Sequence, residues 1–497
     1  VSDLLAGAGV LVAAVAAAGT ILLPAGRMRS VAMLVALALF PALILGDQWH
    51  SHQIADLRDH TSRLLGLGVL GLAAAVGLAY VFKRWAVLLP LAIVAALPFR
   101  VPLHAGGDTA NLLVPLYLVI AGGVLATAVR DWRSGPAGPV PTPGPGGAVQ
   151  WLPRALAAVV LLYAVQTVYS ADFSKGLQDV CFFFVPFSLV YGLLRDVSWD
   201  KKLLTLVLWV VAIEAVAFVV VGSVEHFSRS LFWNDQVIRS NEFHTYFRVN
   251  SVFWDPNIYG RYLALVAVVA MSALLWARER RDLALLTVLV AVLWLGLFPT
   301  FSQSSFAALL AGLAVLAALK WSLRWTLVAV GGFAVLAVLV VLLTGGRASL
   351  DRINIDTSGR ANLVSGGIHL FAQRPIYGYG SGSFPKAYRV HVETHKAPVS
   401  VSHTEPVTIA AEQGILGLAA YIALVVAALW TMAGGLLKRL SVARAAVLAT
   451  FVALIVHTMA YAGFFEDPIT WVLLAAGASL AAAQRPGAAS SALGREH

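Results

Sequence analysis

"VSHTEPVTIAAEQGILGLAAYIALVV", residues 400–425, places an apolar run long enough for a membrane helix directly behind His403, Glu405 and, further in, Glu412. Titratable groups are expensive near hydrocarbon, so those retained at a helix mouth need a partner or a task. Pro406 suits the first turn of a helix, where an N–H would be unpaired in any case. His403 and Glu405 then lie in the approach, and Glu412 lies about 9 Å deeper at ~1.5 Å per residue. Glu405 and Glu412 fall on nearly one face, and Gly414 and Gly417 beside them permit close helix packing. His403 can accept a proton near neutral pH, although spacing alone reads it first as an interfacial capping residue.

The surrounding chain has the same character. Of its 497 residues 59% are hydrophobic and 12% charged, with a mean hydropathy of +0.81. Soluble domains carry about 25% charged residues, so half that share points to a polytopic membrane protein. Apolar runs of about 17 to 25 residues fit spanning helices rather than the roughly 10-residue alternating strands of a barrel. The expected fold is all-α, with about 12–15 transmembrane helices. Spans are expected near 4–24, 30–46, 64–82, 85–98, 110–130, 151–169, 177–194, 201–222, 257–277, 282–299, 303–319, 325–344, 405–431, 442–463 and 468–483. The short run 85–98 reads as a broken or re-entrant element, and 4–24 is too long for a cleavable signal.

Charge supports this count. Short basic connectors at 26–29, 83–85, 195–202, 278–281, 320–324 and 438–444 all fall on one side. The positive-inside rule makes that side cytoplasmic and puts the N-terminus outside. The net charge of +10 is thus assigned to loops, not to nucleic-acid binding. Residues 1–130 form an N-terminal helical part and 131–150 a Pro/Gly-rich cytoplasmic linker. A core over 151–344, an outward loop over 345–402, C-terminal helices over 403–483 and a cytoplasmic tail over 484–497 follow. Cys181, the single cysteine, reads as a small buried hydrophobe, and no zinc-ligand spacing occurs.

The outward loop 345–402 carries Arg347, Arg352, Arg360, Arg374, Lys386, Arg389 and Lys396 against Asp351, Asp356 and Glu393. That excess opposes the topological bias. Within it 360–373 reads as an amphipathic helix, with Val364, Ile368 and Phe371 on one face, Thr357 or Ser358 as N-cap and Pro375 closing it. Arg360 in its first turn is either an anion ligand beside free backbone N–H groups or a surface cation for lipid headgroups. "YGYGSGS", 377–383, is a Gly-rich turn that can let backbone approach a ligand. In the earlier outward segment 223–256, Arg248 precedes "DPN" and Arg261 lies about one turn inside the next span, as a functional or a snorkelling arginine. Thr300, Ser302, Gln303, Ser304 and Ser305 either cap a span or line a polar cavity. Glu214 is the clearest mid-span charge elsewhere.

Three of these stretches resemble the O-antigen ligase and O-antigen polymerase superfamily of bacterial envelope glycosyltransferases. "TFSQSSFAALLAGL" (300–313) is similar to the family's Thr-x-Ser-Arg-small segment. "SGRANLVSGGIHLFAQRPIYGYGSGSF" (358–384) is similar to its Gly-Arg helix followed by Pro-x-x-Gly-x-Gly, and "HTEPVTIAAEQGILGL" (403–418) to its His-Asn-x-x-Leu…Glu-x-Gly-x-x-Gly-Leu. Gln303 stands where many members have arginine, and Thr404 where they have asparagine. The resemblance implies a GT-C-like membrane enzyme of the cytoplasmic membrane, acting on its extracytoplasmic face without metal or cofactor and inverting the anomeric centre. The implied donor is a glycan on polyprenyl (undecaprenyl) diphosphate, and the acceptor a hydroxyl of a glycan or glycolipid. His403 would be the base and Arg360 the diphosphate ligand, with Glu405 or Glu412 orienting the histidine. Arg248, Arg261, Gln303, Tyr379, Lys386, Arg389 and Glu412 are the candidate substrate-binding residues. A polymerase joining lipid-linked repeat units is the alternative within the class, and a lipid-glycan flippase or transporter the alternative outside it.

Overall fold

The computed structural model describes residues 2–49, 60–105, 108–133, 150–232, 234–243, 246–332, 360–392, 401–436 and 439–484. Arg347, Asp351, Arg352, Asp356, Thr357, Ser358, Glu393 and Lys396 lie outside them, as do the linker residues 134–149 and the tail from 485 onward. The N-terminal helices are α1 (Ser2–Leu22), α2 (Arg27–Gln48), α3 (Thr61–Arg84) and the short α4 (Leu88–Ala96). A hairpin of β1 (Val101–Ala105) and β2 (Asp108–Leu112) follows, then α5 (Val114–Arg133), α6 (Trp151–Val168), α7 (Phe173–Leu194) and α8 (Lys201–Ser228). The remainder comprises α9 (Asp235–Phe243), α10 (Pro256–Trp276), α11 (Arg280–Leu297), α12 (Gln303–Lys320), α13 (Arg360–Gln373), α14 (Phe384–His391), α15 (Glu405–Ala433), α16 (Val442–Thr458) and α17 (Pro468–Ala483).

Eleven described helices are long and apolar enough to cross a membrane, and α16 and α17 are shorter apolar helices. The chain is a polytopic, multi-pass α-helical membrane protein. Of the expected span 325–344, residues up to 332 are helical and the rest lie outside the described set. The run 85–98 forms only the nine-residue α4, too short to span, and continues into the antiparallel hairpin. That hairpin is a local exception to the expected all-helical fold, and it pairs Val101 with Leu112.

Helices α1, α2, α5, α6 and α7 pack together, as do α10, α11, α12 and α16. Helix α15 lies against α6, and α17 against α7, so that one apolar core runs through both groups. Backbone groups freed inside the bundle find partners, as hydrocarbon demands. Pro186 has no N–H for the Phe182 carbonyl four residues back, and the Tyr117 hydroxyl donates to that carbonyl at 2.9 Å instead. A π turn at Val180–Phe184 precedes the proline. Buried Arg444 closes the opposite end of α15, donating to the carbonyls of Met432 (2.9 Å) and Gly434 (2.7 Å).

The opening segment is a broken helix. Gly414 sits inside α15 at φ +66°, and a Cβ there would lie 2.4 Å from the Ile376 carbonyl carbon. The amides that the break frees are taken up by the turn after α13: Ile415 N–H donates to the Pro375 carbonyl at 2.7 Å. Gly380 N–H in turn donates to the Glu412 carbonyl at 2.7 Å. The Gly-rich turn therefore makes room for the protein's own backbone, where the sequence suggested a ligand. A Cβ on Gly380 (φ +94°) would lie 2.2 Å from Ser170 Cα. Gly380→Ala is expected to cost about 3 kcal/mol or more and to lower the Tm of the detergent-solubilised protein. Gly331→Ala, with open space around it, is the control, and equal Tm values for the two variants would contradict the interlock.

Candidate active site

His403, Arg360 and Glu405 meet at one end of the bundle around the loop 459–467, which joins α16 to α17. Glu405 is buried, and its Oε2 accepts the N–H groups of Gly463 (2.7 Å) and Phe464 (3.1 Å). Its carboxylate thus fixes that loop, and its hydrogen bonds go there rather than to His403. Arg360 opens α13 and reaches the same loop, donating from Nη1 to the Ala460 carbonyl at 3.2 Å. His403 is half-buried, with its ring centroid 6.1 Å from that of Tyr461, and its backbone is held at φ +62°. Non-glycine residues rarely adopt this conformation, and strained positions cluster at functional sites. The preceding Ser402 hydroxyl, which donates to the Thr404 carbonyl at 2.9 Å, supports the turn.

The other wall comes from α10 and its approach. Asp255 caps α10, accepting Asn257 N–H at 2.6 Å, and the same carboxylate lies within electrostatic reach of Tyr461. Asp467 caps α17, accepting Ile469 N–H at 2.9 Å, and is ion-paired at 2.8 Å to Arg261 of α10. Arg261 of α10 thus holds the N-cap of α17. Arg261 is 4% exposed, so it neither snorkels nor faces water, and its Nη1 has no partner among the described residues. Arg248 is fixed by bonds from Nε to the Thr300 carbonyl (2.9 Å) and from Nη2 to Asn257 Oδ1 (3.2 Å). Arg360 lies within electrostatic reach of Arg248 and of His403, and Arg248 within reach of Asp255 and Tyr461. The result is a pair of neighbouring arginines, one of them acting on a histidine.

Burial, and after it the Arg360 charge, lowers His403 below the ordinary imidazole value of 6.5. Its ring is therefore neutral at pH 7 and can take a proton. Because the folded value is the lower one, the unfolded chain binds the proton more readily, and this contribution to stability is lost as pH falls through 6.5. Arg360→Gln is expected to raise the titration midpoint of labelled His403 in NMR. A midpoint unchanged or lowered would separate the two residues.

The remaining sequence candidates divide. Glu412 is buried in α15, and its two oxygens accept Gly382 N–H (2.9 Å) and Phe384 N–H (3.0 Å), so it clamps the turn into α14. Tyr379 is buried beneath the Arg374 guanidinium, 4.4 Å from the ring centroid, and its hydroxyl bonds Gln373. Lys386, Arg389 and Gln303 are exposed. Gln303 begins α12, while Ser302, Ser304 and Ser305 behind it form a hydroxyl chain that ends on His457 Nε2, 3.2 Å from Ser304 Oγ. Helix α13 is where expected, but its buried face is Gly366, Gly367 and Leu370, and Ile368 is exposed. The two glycines let α13 close on Tyr388 and Val407, which turns the larger apolar side chains outward.

Four participants escape sequence reasoning: Asp255, His457, Tyr461 and Asp467. One signal was available. "EDPIT" before α17 repeats the Asp-Pro start of "WDPNI" before α10, and Asp followed by Pro at the first helical position marks an N-cap. No curated protein matches the chain. The family model described as O-antigen ligase matches residues 288–422, a stretch that holds Arg360, His403, Glu405 and Glu412. Over that segment the chain is similar to the O-antigen ligase family.

Proposed function

We propose that the protein transfers a glycan from a polyprenyl diphosphate, undecaprenyl diphosphate in a bacterial membrane, to an acceptor hydroxyl on a glycan or glycolipid. The observation that carries this reading is His403 within electrostatic reach of Arg360, itself within reach of Arg248, at one end of a multi-pass bundle. His403 takes the proton of the acceptor hydroxyl as its oxygen attacks the anomeric carbon. The bond from that carbon to the diphosphate oxygen breaks, and the leaving diphosphate keeps the electron pair. Attack from the opposite face inverts the centre. Arg360, with a guanidinium edge beyond its bond to Ala460, takes the diphosphate, and Arg248 adds a fixed positive charge.

Glu405 is a positioning residue in this scheme, since it holds the loop that carries Ala460 and Tyr461. Glu412 positions the turn below α13. Arg261 is assigned to the clasp with Asp467, and the exposed Lys386 and Arg389 to the approach of the anionic donor. The basic connectors crowd the other end of the bundle, which supports an extracytoplasmic site in the inner membrane. The mechanism uses no metal. The test is purified protein with a lipid-linked glycan and a candidate acceptor, in the presence of a chelator. Transfer of a single glycan, insensitive to the chelator, is expected. A ladder of repeat numbers made from the donor alone would make it a polymerase, and movement of the donor across vesicles without any new glycosidic bond would make it a flippase.

A further inference from the structure

At the end of the bundle away from His403, a cavity of about 770 Å³ opens between the terminal turns of α2, α3, α5, α7 and α8, with α4 as one wall. Phe82, Leu89, Leu193 and Leu203 give it apolar sides. Arg29, Lys83, Arg130, Arg133 and Lys202 line it against two carboxylates, Asp196 and Asp200. Both acids are engaged: Asp200 Oδ1 caps α8 by accepting Leu203 N–H at 2.7 Å, and Asp196 accepts a bond from Arg29. Arg29 is 2% exposed, and its Nε has no partner among the described residues.

A guanidinium N–H buried without an acceptor is costly, and the glycosyl-transfer site at the other end makes no use of it. The mouth lies at headgroup depth, since exposed Trp85 and Trp132 flank the last turns of α3 and α5, as aromatic residues do at a membrane boundary. Apolar walls, a basic rim and an interfacial position together fit an amphiphile with a phosphate head. We propose that this cavity binds an anionic phospholipid, its phosphate on Arg29 Nε and the Lys83, Arg130 and Lys202 rim, its acyl chains along Phe82 and Leu193. The pocket is separate from the diphosphate-donor site and takes a resident membrane lipid rather than a substrate.

The full-length protein in detergent, titrated with phosphatidylglycerol or phosphatidylcholine and read by native mass spectrometry, tests this. Wild type is expected to retain one phosphatidylglycerol in preference to phosphatidylcholine. The variant K83Q/R130Q/K202Q, changed only at exposed positions, is expected to bind it about tenfold more weakly or worse. The variant R278Q/R280Q/R281Q removes as many cations from the α10–α11 connector, outside the cavity, and is expected to bind as wild type does. Equal loss in both variants would reduce the effect to general surface charge and overturn the site. Equal retention of the two lipids, or displacement by inorganic phosphate, would overturn a phospholipid as its occupant.

Discussion

His403→Ala is expected to abolish transfer from a polyprenyl-diphosphate donor, lowering kcat by about 10²–10⁴-fold, the range that a positioned general base contributes. Arg360→Ala should lose about 10²–10³-fold, as removal of a fixed charge-stabilising donor does, and Arg360→Lys should recover only part of it. Lysine keeps the charge but not the planar fork. The two variants should differ in pH response. Without His403 the residual rate should lose its acid limb, whereas without Arg360 the limb should persist and move to higher pH, because the cation that helps to depress the imidazole has gone. Both variants should retain the wild-type Tm within about 2 °C, since His403 and Arg360 are half-buried and anchor no core packing. Full activity in either variant contradicts its assignment. Lost activity with a collapsed Tm would assign the residue to the scaffold.

Asp467→Ala carries the largest expected effect on stability. It leaves Arg261 as an uncompensated charge at 4% exposure, and removal of one partner of a buried pair costs about 3–5 kcal/mol. It also removes the N-cap of α17. The combined change Arg261→Met with Asp467→Asn removes the charge pair and keeps a capping oxygen. It should recover part of the lost stability, because replacing a buried pair by uncharged groups is often near neutral, while Arg100 still loses its attraction to Asp467. Thermal unfolding in detergent measures both. A double variant as unstable as Asp467→Ala would mean that the unpaired Arg261 charge does not carry the cost. A fully stable Asp467→Ala would remove the clasp between α10 and α17 from the account.

Hydropathy makes the spans legible because each must bury its own backbone hydrogen bonds over a fixed thickness. It leaves 85–98 open between a span and a broken element, because apolar composition alone does not distinguish a nine-residue helix leading into a hairpin from a crossing. His403 and Arg360 are legible from local motifs, but their meeting is not. The loop 459–467 that brings them together receives Glu405 through the backbone amides of Gly463 and Phe464, and backbone donors leave no trace in side-chain identity. The same limit hides the role of Glu412, which holds Gly382 and Phe384. Ile368 faces outward on α13 because the close fit of Gly366 and Gly367 outweighs the burial of larger side chains. Periodicity alone weighs these the other way.

We propose that a lipid diphosphate and an acceptor hydroxyl meet at the end of the bundle where Arg360 and His403 face the loop 459–467. A density map of the protein with a polyprenyl-diphosphate glycan bound tests it most directly. The diphosphate is predicted on Arg360, with the anomeric carbon on the His403 side. Diphosphate density at the opposite end of the bundle, or on this end but clear of both residues, would contradict it.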